Sequence, residues 1–402
     1  MARAEVNQLQ SSDSLFSKRA LEIGFCLLPM SFGPTVFGIR LTFIIAASLI
    51  LLACVQNPII HKTKIGRSQL LGLSAFFLSA LIAVISSPLG DANFAQGLNW
   101  LLLTGGCVFL AYFVKRSFSD PTDALLKGLV LLGVFDSIVV LVSIAVEQGG
   151  FLSSTRQKSY LFEYYLQDAF FCSLAAIICF SAAAWNKTGR ERAWLISGGV
   201  LCLAAMIVLA SRGALLGFVA GLAFTLIILA KRGRGARAYV SWIFGISGLL
   251  SVFLMTPAGN QVLSRVQATD SSEIVNSLRR FAFQNLAYAT ALENPLGLGW
   301  NGFASITSSA LSEPVRSAHS MYLSLILDLG LLGAIAYLTL IFSVLKRSLS
   351  GNMPPKSIFL GSLMVAYLAV GFNDSPHVLP IGMGISLIIL LTFSEESLEK
   401  SR

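Results

Sequence analysis

Residues 317–348 read SAHSMYLSLILDLGLLGAIAYLTLIFSVLKRS. After His319 the run is apolar until Lys346 and Arg347, and Asp328 is its only charged residue before them. A helix rises 1.5 Å per residue, so about 20 apolar residues cross the ~30 Å hydrocarbon core of a bilayer. The stretch predicts a membrane span over 319–344, with an imidazole at one end and a basic pair at the other. Arg316 stands three residues before the histidine. The reason for an ionisable group at that end lies in the rest of the chain.

The 402 residues are 55% hydrophobic and 12% charged, with a mean hydropathy of +0.75. Soluble domains carry roughly a quarter charged residues. Apolar runs of span length recur at about twelve places: 21–36, 38–56, 68–87, 97–114, 125–146, 168–185, 193–210, 212–230, 239–256, 319–344, 357–372 and 377–394. The chain therefore reads as an all-α polytopic membrane protein with about 12 transmembrane helices. A membrane β-barrel would show alternating segments of ~10 residues instead of continuous runs. The first twenty residues are polar, with no apolar core or cleavage site, and read as a cytoplasmic tail. All six cysteines lie in apolar stretches without C-x-x-C spacing. They read as small buried residues, with neither metal nor disulfide implied.

Charge orients the bundle. The segments HKTKIGR, VKRSF, NKTGRER, KRGRGAR and LKRSLS fall on alternate loops; with both termini, Lys127 and Lys356 they hold 21 of the 29 Lys and Arg. The positive-inside rule makes those loops, and both termini, cytoplasmic. The net charge of +9 thus follows from topology and calls for no nucleic acid. The parts expected are a cytoplasmic tail (1–20), an N-terminal bundle of about nine helices (21–256), a long external loop (257–318), the C-terminal helices (319–394) and a second cytoplasmic tail (395–402).

Eight basic residues remain on the external side: Arg40, Arg156, Lys158, Arg212, Arg265, Arg279, Arg280 and Arg316. Five of these lie between Arg212 and Arg316. Within the long loop, Ile274, Leu278, Phe281, Tyr288 and Leu292 recur at helical spacing, predicting an amphipathic helix on the bundle or at the interface. The turn ENPLGLGWNGF follows it with Pro and Gly punctuation.

Three external stretches carry candidate chemistry. In LASRGALLG, Arg212 marks a tight turn between two spans; it reads as a snorkelling anchor or as a phosphate ligand. In NSLRRFAFQN, Arg279 and Arg280 point about 100° apart on a helix, so one can face a site and the other the lipid headgroups. A guanidinium fork suits bidentate contact with phosphate oxygens. In RSAHSMYLS, His319 is either a polar helix cap or a proton acceptor near neutral pH. Asp374, in FNDSPH, is a weaker candidate for orienting His319 or an arginine, or else a helix-end cap. No metal-ligand spacing, Walker motif or Ser-His-Asp arrangement is present, and GLGWNG follows no strand. One base and several guanidinium groups on one face suit a lipid-linked diphosphate leaving group.

ASRGALLGFVAG, RRFAFQNLAYATALENPLGLGWNGF and SAHSMYLSLILDLGLLG resemble, in order and spacing, the signature of the O-antigen ligase and polymerase superfamily. In that pattern an arginine opens a span. A second arginine lies about 15 residues before an N-P-x-x-G-x-G turn, and a histidine starts a helix with an acid-Leu-Gly step. Arg280, fifteen residues before Pro295, fits the second arginine, and Asp328, Leu329 and Gly330 supply the step. The family commonly has Asn after the histidine; here Ser320 stands there, and its hydroxyl can still hydrogen-bond.

The resemblance implies a metal-independent glycosyltransferase of the C-type membrane fold, without a cofactor, in the bacterial inner membrane. Its donor is a glycan on undecaprenyl pyrophosphate, used at the periplasmic face. His319 is then the catalytic base, Arg212, Arg280 and Arg279 bind the pyrophosphate, and Arg316, Ser320 and Asp374 are secondary candidates. About 400 residues and one long external loop between spans nine and ten resemble the ligase branch, whose acceptor is lipid A–core. The polymerase branch, which extends lipid-linked repeats, is the alternative. A non-enzymatic transporter or flippase of a lipid-linked sugar would use the same arginines. It should also carry ionisable groups deep in several spans, where only Asp136 and Asp328 stand out.

Overall fold

The computed structural model describes residues 15–28, 35–36, 39–56, 67–118, 120–147, 165–185, 189–209, 211–231, 271–311, 314–315, 317–349 and 355–372, with a few isolated positions elsewhere. The described chain is helical apart from one minimal hairpin, in which Thr35 pairs with Arg40 and Val36 with Ile39 in antiparallel register. The helices are α1 (Leu15–Leu27), α2 (Leu41–Gln56), α3 (Arg67–Ile85), α4 (Asp91–Ser117), α5 (Pro121–Glu147), α6 (Tyr165–Trp185), α7 (Gly189–Val208), α8 (Arg212–Lys231), α9 (Ser271–Glu293), α10 (Gly302–Leu311), α11 (Met321–Ser348) and α12 (Pro355–Gly371).

Six of these, α4 to α8 and α11, are long and apolar enough to cross a membrane, and α2, α3 and α12 contain shorter apolar helices. The spans expected over 239–256 and 377–394 lie outside the described stretches, and those expected over 21–36, 38–56, 68–87 and 357–372 meet shorter helices, so among the described residues six helices of span length stand where twelve are expected. The first helix also differs from expectation. It starts at Leu15, inside the stretch read as a tail, and ends before the PMSFGP segment. Its polar start is held: Arg19 pairs with Glu22 at 2.7 Å, and Ser17 Oγ donates to Gln56 Oε1 at the end of α2. Pro29 then disfavours helical backbone in the residue before it.

The spans pack through small residues, as expected where lipid removes the hydrophobic drive between helices. A Cβ on Gly217 of α8 would stand 2.9 Å from the Ala366 carbonyl oxygen of α12, and one on Gly221 would stand 2.9 Å from that of Ser362. Hydroxyls buried at this seam find each other: Thr225 lies 2.6 Å from Ser362 and 3.2 Å from Ser181, joining α6, α8 and α12. Tyr337 and Tyr367 bond at 2.9 Å between α11 and α12. Leu102, Val219 and Ile335 point outward and are exposed, which suits lipid as their surroundings.

The two ends of the bundle differ in chemistry. One gathers the start of α12, where Lys356 pairs with Asp120 and Asp123, and the start of α5, where Lys127 reaches Asp123 at 2.7 Å and Glu22 at 3.6 Å. The basic last turns of α4 and α11 belong to the expected basic loops. The opposite end carries the start of α8, the end of α12 and the start of α11.

Candidate active site

The start of α11 is built by the segment before it. Ser320 is the N-cap in extended backbone, but its side chain makes no cap bond. Ser324 does the polar work instead, its Oγ accepting the Ala318 N–H at 3.2 Å. His319 is held in the left-handed region at φ 51, uncommon for a residue other than glycine. Its N–H donates to Ser317 Oγ at 3.0 Å, and its carbonyl accepts Gln284 Nε2 of α9 at 3.2 Å. The imidazole packs on Phe283, ring centroids 6.1 Å apart. Its Nδ1 is shut away from solvent with no hydrogen-bond partner among the described residues.

α9 lies along the first half of α11 and shares with it a small apolar core of its own. Ala287 of α9, Leu298 of the turn, Phe303 of α10, Ala318 and Leu327 are fully buried together. The helix is where the sequence places it, but its seating is decided by the other face. Ile274, Leu278, Phe281, Tyr288 and Leu292 are all exposed, so the apolar stripe turns away from the bundle. Phe283, Ala287 and Thr290 face inward.

That seating separates the adjacent arginines. Arg280 is partly buried, and its positive charge bears on His319. Burial first, and then Arg280, push the His319 imidazole down from 6.5 to about 4. Arg279 is exposed, its guanidinium 6.0 Å from the Phe283 ring centroid. The residue fifteen before Pro295 is thus the one turned toward the histidine.

The turn between α9 and α10 is locked to a break inside α11. Gly330 has φ 72 and ψ 171, which is not helical. In an unbroken helix the Leu331 N–H would donate to the Leu327 carbonyl. Here the pair is opened and each half is taken by the turn: Leu331 N donates to the Pro295 carbonyl at 3.0 Å, and Leu298 N donates to the Leu327 carbonyl at 2.6 Å. Both groups of the opened pair thus keep a partner where water is scarce. The N-P-x-G-x-G turn of residues 294–299 and the acid-Leu-Gly step are two halves of one contact. The turn is further clamped to α4, where Trp300 stacks on Trp100 at 4.8 Å and Asn301 Nδ2 donates to Gln96 at 2.8 Å.

Arg212 opens α8 at the same end. Ser211 caps the helix, its Oγ accepting the Ala214 N–H at 3.3 Å. From there α8 runs against α12 through Gly217 and Val370, and the end of α12 meets the start of α11, where a Cβ on Gly371 would press on Met321. Tyr322 OH donates to the Leu368 carbonyl at 3.0 Å across that second seam. Arg212, Arg280 and His319 therefore share one end of the bundle. Arg316 and Asp374 lie outside the described residues. Among the described residues, no group of three His, Cys, Asp or Glu is placed to hold a metal ion. Gln284, Phe283, Ser317 and Ser324 are absent from the sequence-based candidates. The one signal in the sequence is that Gln284 follows Arg280 by four residues, one helical turn.

No curated protein matches the chain. Residues 197–338, from within α7 to the middle of α11, match the model of the O-antigen ligase family. That segment, about a third of the chain, contains Arg212, Arg279, Arg280, the glycine turn, His319 and the Gly330 break, and the match supports the O-antigen ligase superfamily.

Proposed function

We propose that the chain is an O-antigen ligase, moving a glycan from undecaprenyl pyrophosphate to lipid A–core at the periplasmic face of the bacterial inner membrane. In this reading the chain has about twelve spans and the part boundaries given above. Its loop from 257 to 318 is periplasmic, and both termini are cytoplasmic. The observation that carries the proposal is the placement of Arg280 beside His319 at the end of α11.

Neutral His319 takes the proton of the acceptor hydroxyl as its oxygen attacks the anomeric carbon. The bond from that carbon to the diphosphate oxygen breaks, and the departing lipid diphosphate carries the electron pair. Arg280 and Arg212, with Arg279 at the rim, stabilise the growing negative charge. Guanidinium groups aimed at a developing charge in a site shielded from water are worth far more than in solution. A histidine kept neutral by burial and a nearby cation is free to accept a proton at neutral pH. No metal or nucleotide is needed in this scheme.

The test is the lipopolysaccharide of a strain lacking the protein. Loss of every band above the core, with lipid-linked polymer accumulating, supports the ligase reading. A surviving core-plus-one-repeat band replaces it with the polymerase reading, and an unchanged ladder rejects both.

A further inference from the structure

Among the described residues two side chains close on the peptide groups of His319, and only one of them reaches across from another helix. Ser317 lies two residues away in the same segment, whereas Gln284 comes from α9, 35 residues earlier. Gln284 stands one turn after Arg280, so both project from the same face of α9. Phe283, beside Gln284, packs against the imidazole. One short stretch of helix therefore presents a guanidinium, a ring and an amide to a single histidine held in an uncommon backbone conformation.

We propose that Gln284 is a positioning residue: its amide, bonded to the His319 carbonyl, sets where the imidazole stands relative to Arg280 and so aligns the proton acceptor with the leaving-group site. This rests on the roles given above to His319 and Arg280. The left-handed backbone at 319 has alternatives nearby, since φ below zero is open to any histidine. A donor fixed on a packed helix holds the carbonyl in one direction and excludes them. Misplacing a reacting group by about 1 Å costs up to about 10²-fold in rate, so a single neutral hydrogen bond can matter more to turnover than to stability.

The test uses the full-length protein in detergent with a lipid-linked glycan donor and its acceptor. Gln284→Met keeps the length and removes the donor; Gln284→Glu keeps the shape and turns an acceptor on the carbonyl. Three quantities are measured: kcat, the donor KM, and the rate at which diethyl pyrocarbonate modifies His319, followed by mass spectrometry. In both variants kcat should fall by about 10- to 100-fold and His319 should be modified faster, and in Gln284→Met, which adds no charge beside Arg280, the donor KM should stay near wild type.

Unchanged His319 reactivity overturns the proposal whatever happens to turnover. A rise in donor KM with kcat intact overturns it in favour of a binding role. Faster modification with full turnover keeps the contact but removes His319 from the chemistry, which overturns the mechanism above. Failure of both variants to fold also overturns it, because a positioning role leaves the fold intact.

Discussion

Gly297 and Gly330 meet backbone to backbone: a Cβ on Gly297 would lie 2.5 Å from the Gly330 amide nitrogen, and one on Gly330 would lie 2.6 Å from the Leu296 carbonyl. Both also have positive φ, at 89 and 72. The turn after α9 and the break in α11 can approach this closely only because neither residue has a side chain.

Alanine at either position should therefore be costly. Positive-φ backbone outside the usual regions costs of order 1–3 kcal/mol for a residue other than glycine, and contact with backbone atoms adds to it. Gly297→Ala and Gly330→Ala should each lower the unfolding temperature in detergent and abolish glycan transfer. Gly189→Ala, where an added Cβ meets nothing within 4 Å, should leave both unchanged. Wild-type thermal stability in Gly330→Ala would show that α11 is not broken there.

His319→Ala should reduce transfer by about 10²–10⁴-fold, the usual cost of losing a general base, while the protein still folds and inserts. Near-wild-type turnover by the purified variant rejects the role.

The depressed His319 value has a second consequence. As pH falls from 6.5 toward about 4, the unfolded chain takes up a proton that the folded protein refuses. Stability is then lost across that window, by at most about 3 kcal/mol. Unfolding temperatures measured from pH 7 to pH 4.5 should fall more steeply for the wild type than for His319→Ala. Parallel curves would mean that the histidine titrates normally in the fold.

Arg212→Lys and Arg280→Lys should both be inactive, because an ammonium cannot reproduce the bidentate fork of a guanidinium. Arg279→Lys should retain most activity, since Arg279 is exposed and lies over Phe283. The comparison is made by restoring lipopolysaccharide in a null strain with each variant at equal expression. An inactive Arg279→Lys beside an active Arg280→Lys would reverse the assignment.

Transfer by the purified protein should continue in excess EDTA and without ATP, because the arginines supply the positive charge that Mg²⁺ supplies elsewhere. A strict requirement for a divalent cation, restored by adding it back, would overturn the arginine-based mechanism.

Hydropathy alone determined much of this molecule. Runs of span length mark α4 to α8 and α11 without any knowledge of their partners, because the bilayer demands satisfied backbone and apolar side chains segment by segment. The order of Arg212, Arg280, the glycine turn, His319 and the acid-Leu-Gly step is equally local, and it carries the family resemblance. Tertiary structure decided the rest. Both faces of α9 are apolar in part, so its spacing could not say whether Leu278 or Phe283 packs inward. Packing against Ala318 and Leu327 chose the face with Phe283, which partly buries Arg280 so that its charge bears on the histidine and leaves Arg279 exposed over Phe283. Gly330 reads in the sequence as the last residue of the acid-Leu-Gly step inside one apolar span; it breaks the helix because Pro295 and Leu298, more than thirty residues earlier, take up the opened hydrogen bonds. Gln284 carries no local signature beyond its one-turn spacing from Arg280, since a glutamine on a helix acquires its role only when another element brings a carbonyl within its reach.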